Sequence, residues 1–287
     1  MSRRTFLALT SLCLPAVARP APRRFAALPA AAARLEKANG GRLGVAVLDT
    51  GTRERFGYRA HERFPMCSTF KFLLASAVLL RTDRGEDQLE RDLQIPDKPL
   101  LPHSPLTEPH AGGKMTVAGL CEAILTQGDN TAADLLLATI GGPAGLTSFS
   151  RSIGDKVTRL DRSEPALNEA LAGDPRDTTS PQAMAGDLEA VLLGDWLQRA
   201  SREQLTRWMA GCVTGLDRLR AKLPEAWQAV DRTGSNGEHT SNDIAVFWPP
   251  GRPPVVVTAY ITQCAGPDSK RAAMLAEIGR LVAASLA

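Results

Sequence analysis

The chain has 287 residues, of which 44% are hydrophobic and 23% are charged. This composition excludes a disordered chain and a collagen-like or coiled-coil array, and the length allows one large domain or two modest ones. Lysine and arginine number 34 against 31 for aspartate and glutamate, and so small a positive excess argues against a dedicated nucleic-acid-binding protein.

The first residues are typical of an export signal. Arg3 and Arg4 precede an apolar stretch at residues 6–18, which is about half the length of a membrane-spanning helix. The stretch ends in Ala16-Val17-Ala18, which fits the small-x-small rule for signal peptidase cleavage. We expect residues 1–18 to be a signal peptide and the protein to be periplasmic or secreted, with no membrane anchor. The paired arginines leave the twin-arginine and the ordinary export routes both open.

Strand signals lie near both ends of the remaining chain, and helix signals lie between them. Residues 19–30 are rich in Pro, Ala and Arg and indicate a loose leader. In chain order we then predict a helix at 31–39, strands at 42–50 and 53–59, helices at 69–80, 116–126, 131–139, 145–153, 181–192 and 201–211, strands at 244–248 and 255–262, and a helix at 269–287.

This order of elements predicts an α/β fold of the α+β type. An antiparallel sheet built from both chain ends would be covered by helices, with an all-helical lobe inserted between them. We expect residues 19–60 together with 212–287 to form an α/β domain, and residues 61–211 to form an all-α domain. An inserted lobe leaves a crevice against the sheet, and such crevices commonly hold active sites.

The first of four candidate catalytic segments is Ser68-Thr69-Phe70-Lys71, at the start of a predicted helix. Serine is a poor nucleophile until a neighbouring group takes its proton. Residues three apart share one face of a helix, so the Lys71 amine can reach the Ser68 hydroxyl. A helix N-terminus also favours the negative charge that develops on an attacked carbonyl. The alternative is a serine N-cap followed by a solvated lysine.

Two further segments lie at helix and loop boundaries. Gly128-Asp129-Asn130 separates two predicted helices and, taken alone, indicates a helix cap. Residues 162–177 have the length of an Ω-loop whose ends an Arg162–Asp177 ion pair would tie. Inside it, Glu164 and Asn168 would hold a water, one as base and one as hydrogen-bond partner. The alternative is an ordinary polar surface loop.

The fourth segment is Arg232-Thr233-Gly234-Ser235, placed just before a predicted strand. It brings together a cation and two hydroxyls, and Gly234 lets a ligand approach the backbone closely. This set suits the carboxylate of an anionic substrate. The alternative is a simple turn.

In this order and at these separations, the four segments resemble the motifs of the class A serine β-lactamases, within the penicillin-recognising acyl-transferase superfamily. The S-x-x-K of the family matches Ser68–Lys71 and its E-x-x-L-N matches Glu164–Asn168. Its S-D-N stands here as Gly128-Asp129-Asn130, and its K-T-G as Arg232-Thr233-Gly234. The resemblance covers about residues 30–287 and implies a five-stranded antiparallel sheet, with the active site between the sheet and the helical lobe.

The resemblance implies a hydrolytic mechanism through an acyl-enzyme. Ser68 would attack the β-lactam carbonyl, with Lys71, or Glu164 through a water, taking its proton. Glu164 and Asn168 would then activate the water that hydrolyses the ester. The resemblance also implies an oxyanion hole formed by the N–H groups of Ser68 and Ser235. The substrate carboxylate would bind to Arg232, Thr233, Gly234 and Ser235, and the substrate's side-chain amide would bind to Asn130. His103 would be a gate residue, and Arg218 would supply a second guanidinium. A structural salt bridge is the alternative for Arg218.

Two departures from the family pattern affect the expected chemistry. Glycine at Gly128 cannot donate the proton that the family's serine relays to the leaving nitrogen, so a water would have to replace the hydroxyl. We therefore expect slower acylation, weaker response to inhibitors that crosslink through that serine, and faster acylation after Gly128→Ser. Arginine at Arg232 keeps the positive potential but excludes a proton relay through this side chain.

The remaining expectations concern thiols, cofactors and partners. Cys67, Cys121, Cys212 and Cys264 lack the partners of the family's disulfides, so we expect mostly free thiols. The histidine and cysteine spacings match no zinc motif, and we expect no cofactor or metal. The expected partners are β-lactam antibiotics, without nucleic acid or an obligate protein partner. A D-Ala-D-Ala peptidase or penicillin-binding protein, and a non-catalytic β-lactam sensor, remain as alternatives.

Overall fold

The computed structural model describes residues 24–286, so the predicted signal peptide at residues 1–18 lies outside the described residues. The strands are β1 (Arg42–Asp49), β2 (Arg55–Tyr58), β3 (Phe64–Pro65), β4 (Asp92–Gln94), β5 (Lys114–Thr116), β6 (Thr178–Thr179), β7 (Gln228–Ser235), β8 (Ser241–Trp248) and β9 (Val255–Thr262). The α-helices are α1 (Leu28–Asn39), α2 (Phe70–Asp83), α3 (Val117–Thr126), α4 (Asn130–Thr139), α5 (Gly142–Ser152), α6 (Pro181–Leu188), α7 (Arg199–Ala210) and α8 (Asp268–Ala284).

Five of the strands form one antiparallel sheet in the order β2-β1-β9-β8-β7. The pairing of β1 with β9 runs their full length, from Arg42 opposite Thr262 to Asp49 opposite Val255. Two strands therefore come from the start of the chain and three from its end. The predicted α/β fold with a five-stranded antiparallel sheet is confirmed.

Both faces of the sheet are covered, which explains why its central strands have nearly continuous apolar sequences. On one face, Val45, Val257 and Ile261 pack against α1 and α8 in one hydrophobic cluster. On the other face, Val246 and Tyr260 belong to the larger cluster that also contains the helices of the inserted segment. The sheet thus separates two hydrophobic cores, and the catalytic motifs lie on the side of the larger one.

Helix α2 is the centre of the helical layer. Every residue from Phe70 to Leu80 is buried, including Lys71, which accounts for its apolar character on all sides. Helices α3, α4 and α6 each begin at a side chain that caps the first turn: Thr116, Asp129 and Ser180. Within residues 24–286, no helix is both long and apolar enough to cross a membrane.

The structure corrects three local predictions. The segment expected to be a loose leader is ordered from residue 24, since Phe25 is fully buried with its ring centroid 5.0 Å from that of Phe56. The Arg232-Thr233-Gly234-Ser235 segment lies inside strand β7 rather than before a strand. The predicted helix at 181–192 ends earlier, because one turn of wider helix, Glu189–Leu193, follows α6.

Candidate active site

Ser68 lies in a single turn of 3₁₀-helix, Cys67–Thr69, which leads directly into α2. Lys71 is one turn further along, and its Nζ donates to Ser68 Oγ at 3.0 Å. The same ammonium donates to Gly128 O at 2.7 Å and to Asn130 Oδ1 at 2.5 Å. The lysine is therefore neither solvated nor free to rotate, and the alternative of an exposed lysine after a serine cap is excluded.

Burial lowers the pKa of Lys71 to about 8; the positive charge of Arg232 adds to this effect, while the carboxylate of Glu164 opposes it. Nζ lies 3.1 Å from Glu164 Oε1, as an ion pair between two fully buried side chains. An amine that ionises near pH 8 can gain or lose a proton under physiological conditions. This property suits a group that exchanges protons with Ser68.

The Gly128-Asp129-Asn130 corner connects α3 to α4. Asp129 is fully buried, and its carboxylate caps α4 by accepting from Ala132 N at 2.9 Å and also holds Thr107 N at 2.8 Å. Asp129 is therefore a helix cap, as the segment taken alone had indicated. The cap also fixes Asn130, whose Nδ2 donates to Pro102 O at 2.8 Å, so the amide oxygen is aimed at Lys71.

The Ω-loop, residues 162–177, is closed by the ion pair that the sequence predicts. Arg162 Nε lies 2.6 Å from Asp177 Oδ2, and the N–H groups of Asp161 and Arg162 donate to Asp177 Oδ1 at 2.8 and 2.9 Å. Arg162 also contacts the carboxylate of Glu169. One buried aspartate thus joins both ends of the loop through side-chain and backbone bonds together.

Glu164 and Asn168 face each other across the Ω-loop. Asn168 Nδ2 donates to Glu164 Oε2 at 2.5 Å, and the Glu164 N–H is held by Asp134 Oδ1 at 3.0 Å. Glu164 Oε1 and Asn168 Oδ1 are both buried; Oε1 faces the Lys71 ammonium at 3.1 Å, and Asn168 Oδ1 accepts no hydrogen bond from the described residues. Two neighbouring acceptors of this kind match the hydrogen-bonding demands of a bound water.

Strand β7 is an edge strand, and its free edge lies against the turn that carries Ser68. A Cβ on Gly234 would stand 2.6 Å from Met66 O and 3.1 Å from Ser68 N. Only glycine therefore allows the strand to approach the nucleophile so closely. This contact brings the backbone of Gly234 and Ser235 beside the backbone of Ser68, as the predicted oxyanion hole requires.

Arg232 points from β7 towards Gly128. Its side chain is 1% exposed, and burial lowers its pKa. Thr214, which the sequence analysis did not single out, lies beside it: Thr214 Oγ1 is 2.5 Å from Thr233 Oγ1 and 3.5 Å from Arg232 Nη1. Arg232 therefore lies beside the Thr214 hydroxyl, which contacts that of Thr233, whereas the Ser235 hydroxyl donates to Thr240 O at 3.0 Å.

Arg218 supports the strand from behind. Its Nη1 donates to Gly234 O at 3.2 Å and to Asn242 O at 2.9 Å, and its Nη2 lies 3.3 Å from Asp268 Oδ2. These contacts support a structural role for Arg218, the alternative given in the sequence analysis. His103, the predicted gate residue, is exposed, with Nε2 2.8 Å from Gln127 O.

The sequence analysis missed two buried carboxyls close to Arg232: Asp231 within β7, and Asp243 in β8, opposite Thr233. Burial raises the pKa of Asp231 to about 6 against the opposing charge of Arg220, whose Nε is 3.1 Å away, and burial raises the pKa of Asp243 well above its ordinary value. Because β7 was not predicted as a strand, nothing in the sequence indicated that the Asp231 and Asp243 side chains are buried.

The four cysteines within residues 24–286 are free thiols and all are buried, in line with the expectation of mostly free thiols. Among residues 24–286, no three side chains of His, Cys, Asp or Glu are grouped so that they could hold a metal ion. The cluster around Ser68 is accordingly built from serine, lysine, glutamate and amide groups alone. Its geometry suits nucleophilic attack on a carbonyl, followed by attack of a water.

Comparison with known proteins agrees with this geometry. The chain matches a model of the Beta-lactamase enzyme family over residues 27–286. It is 48% identical to Beta-lactamase L2 of Stenotrophomonas maltophilia over 98% of this chain and 98% of that protein. It is 59% identical to the solved structure of an ancestral (GNCA) class A β-lactamase, with a TM-score of 0.87 over 89% of this chain and 98% of that one. A solved β-lactamase of Xanthomonas campestris is 50% identical, with a TM-score of 0.89 over 91% and 97% of the two chains. The chain belongs to the β-lactamase enzyme family, in class A.

Proposed function

We propose that the protein hydrolyses the β-lactam amide of penicillins and cephalosporins through an acyl-enzyme on Ser68, and so confers antibiotic resistance. The observation that carries this proposal is the position of Lys71 Nζ, 3.0 Å from Ser68 Oγ and 3.1 Å from Glu164 Oε1. One buried ammonium thus links the nucleophile to the carboxylate. The arrangement holds the nucleophile and the carboxylate on either side of one positive charge.

The acylation step requires a base for the Ser68 hydroxyl. With a pKa of about 8, Lys71 is mainly protonated at neutral pH, and an ammonium cannot accept a proton. Glu164, acting through a water, is therefore our preferred base for acylation, with Lys71 as the charge that stabilises the ionised intermediate. The N–H groups of Ser68 and Ser235 would hold the developing oxyanion.

The deacylation step follows from the pair Glu164 and Asn168. Their buried acceptors, Oε1 and Oδ1, would hold the attacking water beside the Lys71 ammonium, and Glu164 would take its proton as the ester is cleaved. A penicillin-binding protein or a sensor has no need of such a pair, because it keeps the acyl group. This is the feature that favours a hydrolase over both alternatives.

The remaining roles concern substrate binding. Arg232, Thr233 and Ser235 would bind the substrate carboxylate, beside Gly234, and Asn130 would bind its acylamide group. His103 would border the entrance. Arg218 would act through the backbone of Gly234, as a positioning residue, and not by contact with substrate.

Export and organisation are part of the proposal. The match to Beta-lactamase L2 covers 98% of the chain and so extends into residues 1–18, which supports a signal peptide and a periplasmic or secreted enzyme. Residues 19–60 with 212–287 and residues 61–211 would form the two domains that border the site. We propose no obligate protein partner, nucleic acid or cofactor.

The test mixes the purified mature protein with benzylpenicillin and follows substrate loss and intact protein mass together. We expect rapid loss of substrate with little lasting gain in mass. A stable adduct on Ser68 without turnover would instead identify a penicillin-binding protein or a sensor. If the protein formed no adduct and consumed no substrate, the proposal would be overturned.

A further inference from the structure

The side chain of Asn242 in β8 is fully buried and forms three hydrogen bonds. Its Nδ2 donates to Pro65 O at 2.9 Å and to Met66 O at 3.1 Å. Its Oδ1 accepts from Ile261 N at 3.3 Å. These partners fix the orientation of the amide, because only its nitrogen can donate to the two carbonyls. The amide therefore connects the sheet to the backbone just before the nucleophile.

Met66 O is the acceptor at which the turn carrying Ser68 begins. It also accepts from Thr69 N at 3.2 Å and from Thr69 Oγ1 at 2.9 Å. Cys67, which lies between this carbonyl and the nucleophile, has φ +44°, in the left-handed region that residues with a side chain disfavour. Such a conformation persists only where the surrounding structure holds it. Asn242 holds the two carbonyls that come immediately before the strained residue.

The backbone of Asn242 also contacts the other half of the predicted oxyanion hole. At the end of the β7–β8 ladder, Asn242 lies opposite Gly234, and Ser241 lies opposite Ser235. Arg218 Nη1 donates to Gly234 O at 3.2 Å and to Asn242 O at 2.9 Å, so it joins the two strands at this position. Asn242 is thus bonded to both elements that supply the donors of the oxyanion hole.

We propose that Asn242 is a positioning residue, which sets the distance between the N–H groups of Ser68 and Ser235 and hence the width of the oxyanion hole. The proposal rests on the proposed function. An oxyanion hole stabilises the developing charge when its donors lie about 2.7–3.1 Å from the oxygen. Here the two donors belong to a helical turn and to an edge strand, so neither element alone fixes their separation. Asn242 acts through the backbone of both and does not contact the substrate.

The test replaces Asn242 by alanine, which removes both donors to the turn and keeps the backbone pairing of β8. Acylation by benzylpenicillin is measured by stopped flow, and deacylation by the decay of the adduct in intact mass. We expect both rate constants to fall by roughly 10- to 100-fold, the cost of a misplacement of about 1 Å, with little change in the affinity of the first non-covalent complex. Both steps should suffer alike, because an oxyanion forms in each.

Asn242→Ser is the second variant, and it serves as well if the alanine variant does not fold. Its hydroxyl retains one donor, so the same two rate constants should fall by a smaller factor. Unchanged rate constants in a folded variant without the amide would overturn the proposal.

Phenylboronic acid provides a readout that a purely structural role would not change. It forms a tetrahedral boronate on a serine oxygen and so resembles the oxyanion intermediate. Its affinity should fall in Asn242→Ala by about the same factor as the acylation rate constant. If acylation slowed while the boronate bound as tightly as it binds the wild-type protein, the loss would not arise in the oxyanion hole, and the proposal would be overturned.

The matched control is Thr258→Val. Thr258 of β9 is also fully buried, and its Oγ1 donates to Pro181 O at 2.8 Å, at the start of α6. The variant removes a hydrogen bond of the same kind, from the sheet to a backbone carbonyl of the helical layer, but not one to the turn that carries Ser68. We expect its thermal midpoint to fall, while acylation and boronate affinity stay close to the wild-type values.

An equal fall in acylation in Thr258→Val and Asn242→Ala would mean that general loosening of the sheet explains the loss, and would overturn the proposal. Failure of the proposed function is a separate outcome. In that case the wild-type protein itself would neither hydrolyse benzylpenicillin nor form an adduct.

Discussion

The side-chain amide of Asn168 holds one oxygen of Glu164 at 2.5 Å and leaves the other oxygen facing Lys71 at 3.1 Å. The carboxylate is thereby divided between two tasks. Oε2 is fixed by the Ω-loop, and Oε1 lies against the Lys71 ammonium on the side of the nucleophile. Substitutions that affect only one of these oxygens should separate the two halves of the reaction.

Glu164→Gln removes the proton acceptor while keeping the size of the side chain. We expect deacylation to slow by about 10²- to 10⁴-fold, the usual worth of a general base, with a smaller loss in acylation. Intact mass after mixing with benzylpenicillin should then show an adduct that persists. The control is Ser68→Ala, which should give no adduct; a variant that turns over without any adduct would contradict the role of Glu164 in deacylation.

Arg162→Ala removes the side-chain half of the bond that closes the Ω-loop. Arg162 is 15% exposed and Asp177 is 1% exposed, so the loss leaves a buried carboxylate without its cation and should destabilise the fold by roughly 3 kcal/mol. Deacylation should suffer more than acylation, because the loop carries Glu164. Thermal unfolding and adduct lifetime measure the two effects.

The matched control for that variant is Arg199→Ala. Arg199 pairs with Glu203 but is 86% exposed, and pairs of that kind contribute little. A midpoint of unfolding that moves equally in both variants would argue against a special role for the Arg162–Asp177 pair.

Asp231 should make stability depend on pH in the acidic range. Its pKa is raised to about 6 in the folded protein and returns to near 3.8 on unfolding, so the folded state binds more protons between these values. Stability from this group is therefore lost as the pH rises from about 4 to about 6. Relative to Asp231→Asn, the wild-type protein should lose on the order of 3 kcal/mol across that range, measured by urea unfolding. Parallel pH profiles for the two proteins would show that the carboxyl is not protonated in the fold.

The four thiols should be inert in the native protein despite the position of Cys67 next to the nucleophile. Burial raises the pKa of the Cys67 thiol to about 12, and burial likewise raises the pKa of Cys121. An aromatic disulfide reagent should label no thiol in the folded mature protein, and should label Cys67, Cys121, Cys212 and Cys264 in denaturant. If the reagent labelled a thiol rapidly in a native protein that still acylates Ser68, the prediction of inert thiols would be refuted.

Much of the site could be predicted because its chemistry lies in short, local patterns. The S-x-x-K spacing fixes Ser68 and Lys71 on one helix face, and the Arg162–Asp177 separation fits a closed loop. The environment of Arg232 could not be predicted in the same way. It depends on the approach of β7 to the α3–α4 corner, a contact between segments about 100 residues apart, and on the absence of a side chain at Gly128.

The same distinction between local patterns and long-range contacts separates the strands that were predicted from the one that was missed. Val255–Thr262 was predicted with its full bounds because six of its eight residues are β-branched, as is typical of a buried central strand. Strand β7 was missed because its residues, Gln228–Ser235, include charged, small and polar side chains that are typical of a turn. Their extended form is imposed by pairing with β8, which no local preference reveals. The division into two domains at residues 61 and 212 stays a prediction.

Strand β9 is the last strand along the chain, and it is also the middle strand of the sheet, between β1 and β8. Until it is added, the amino-terminal hairpin and the carboxyl-terminal hairpin are separate pieces with open edges and no mutual register. The sheet is therefore completed when its central strand, β9, is added, and not by the addition of an edge strand. Its contacts are long-range in sequence, which slows folding and postpones assembly of the β7 edge against Ser68 until nearly the whole polypeptide exists. A chain that is being synthesised or translocated accordingly has no active site to expose before its carboxyl-terminal part is free to fold.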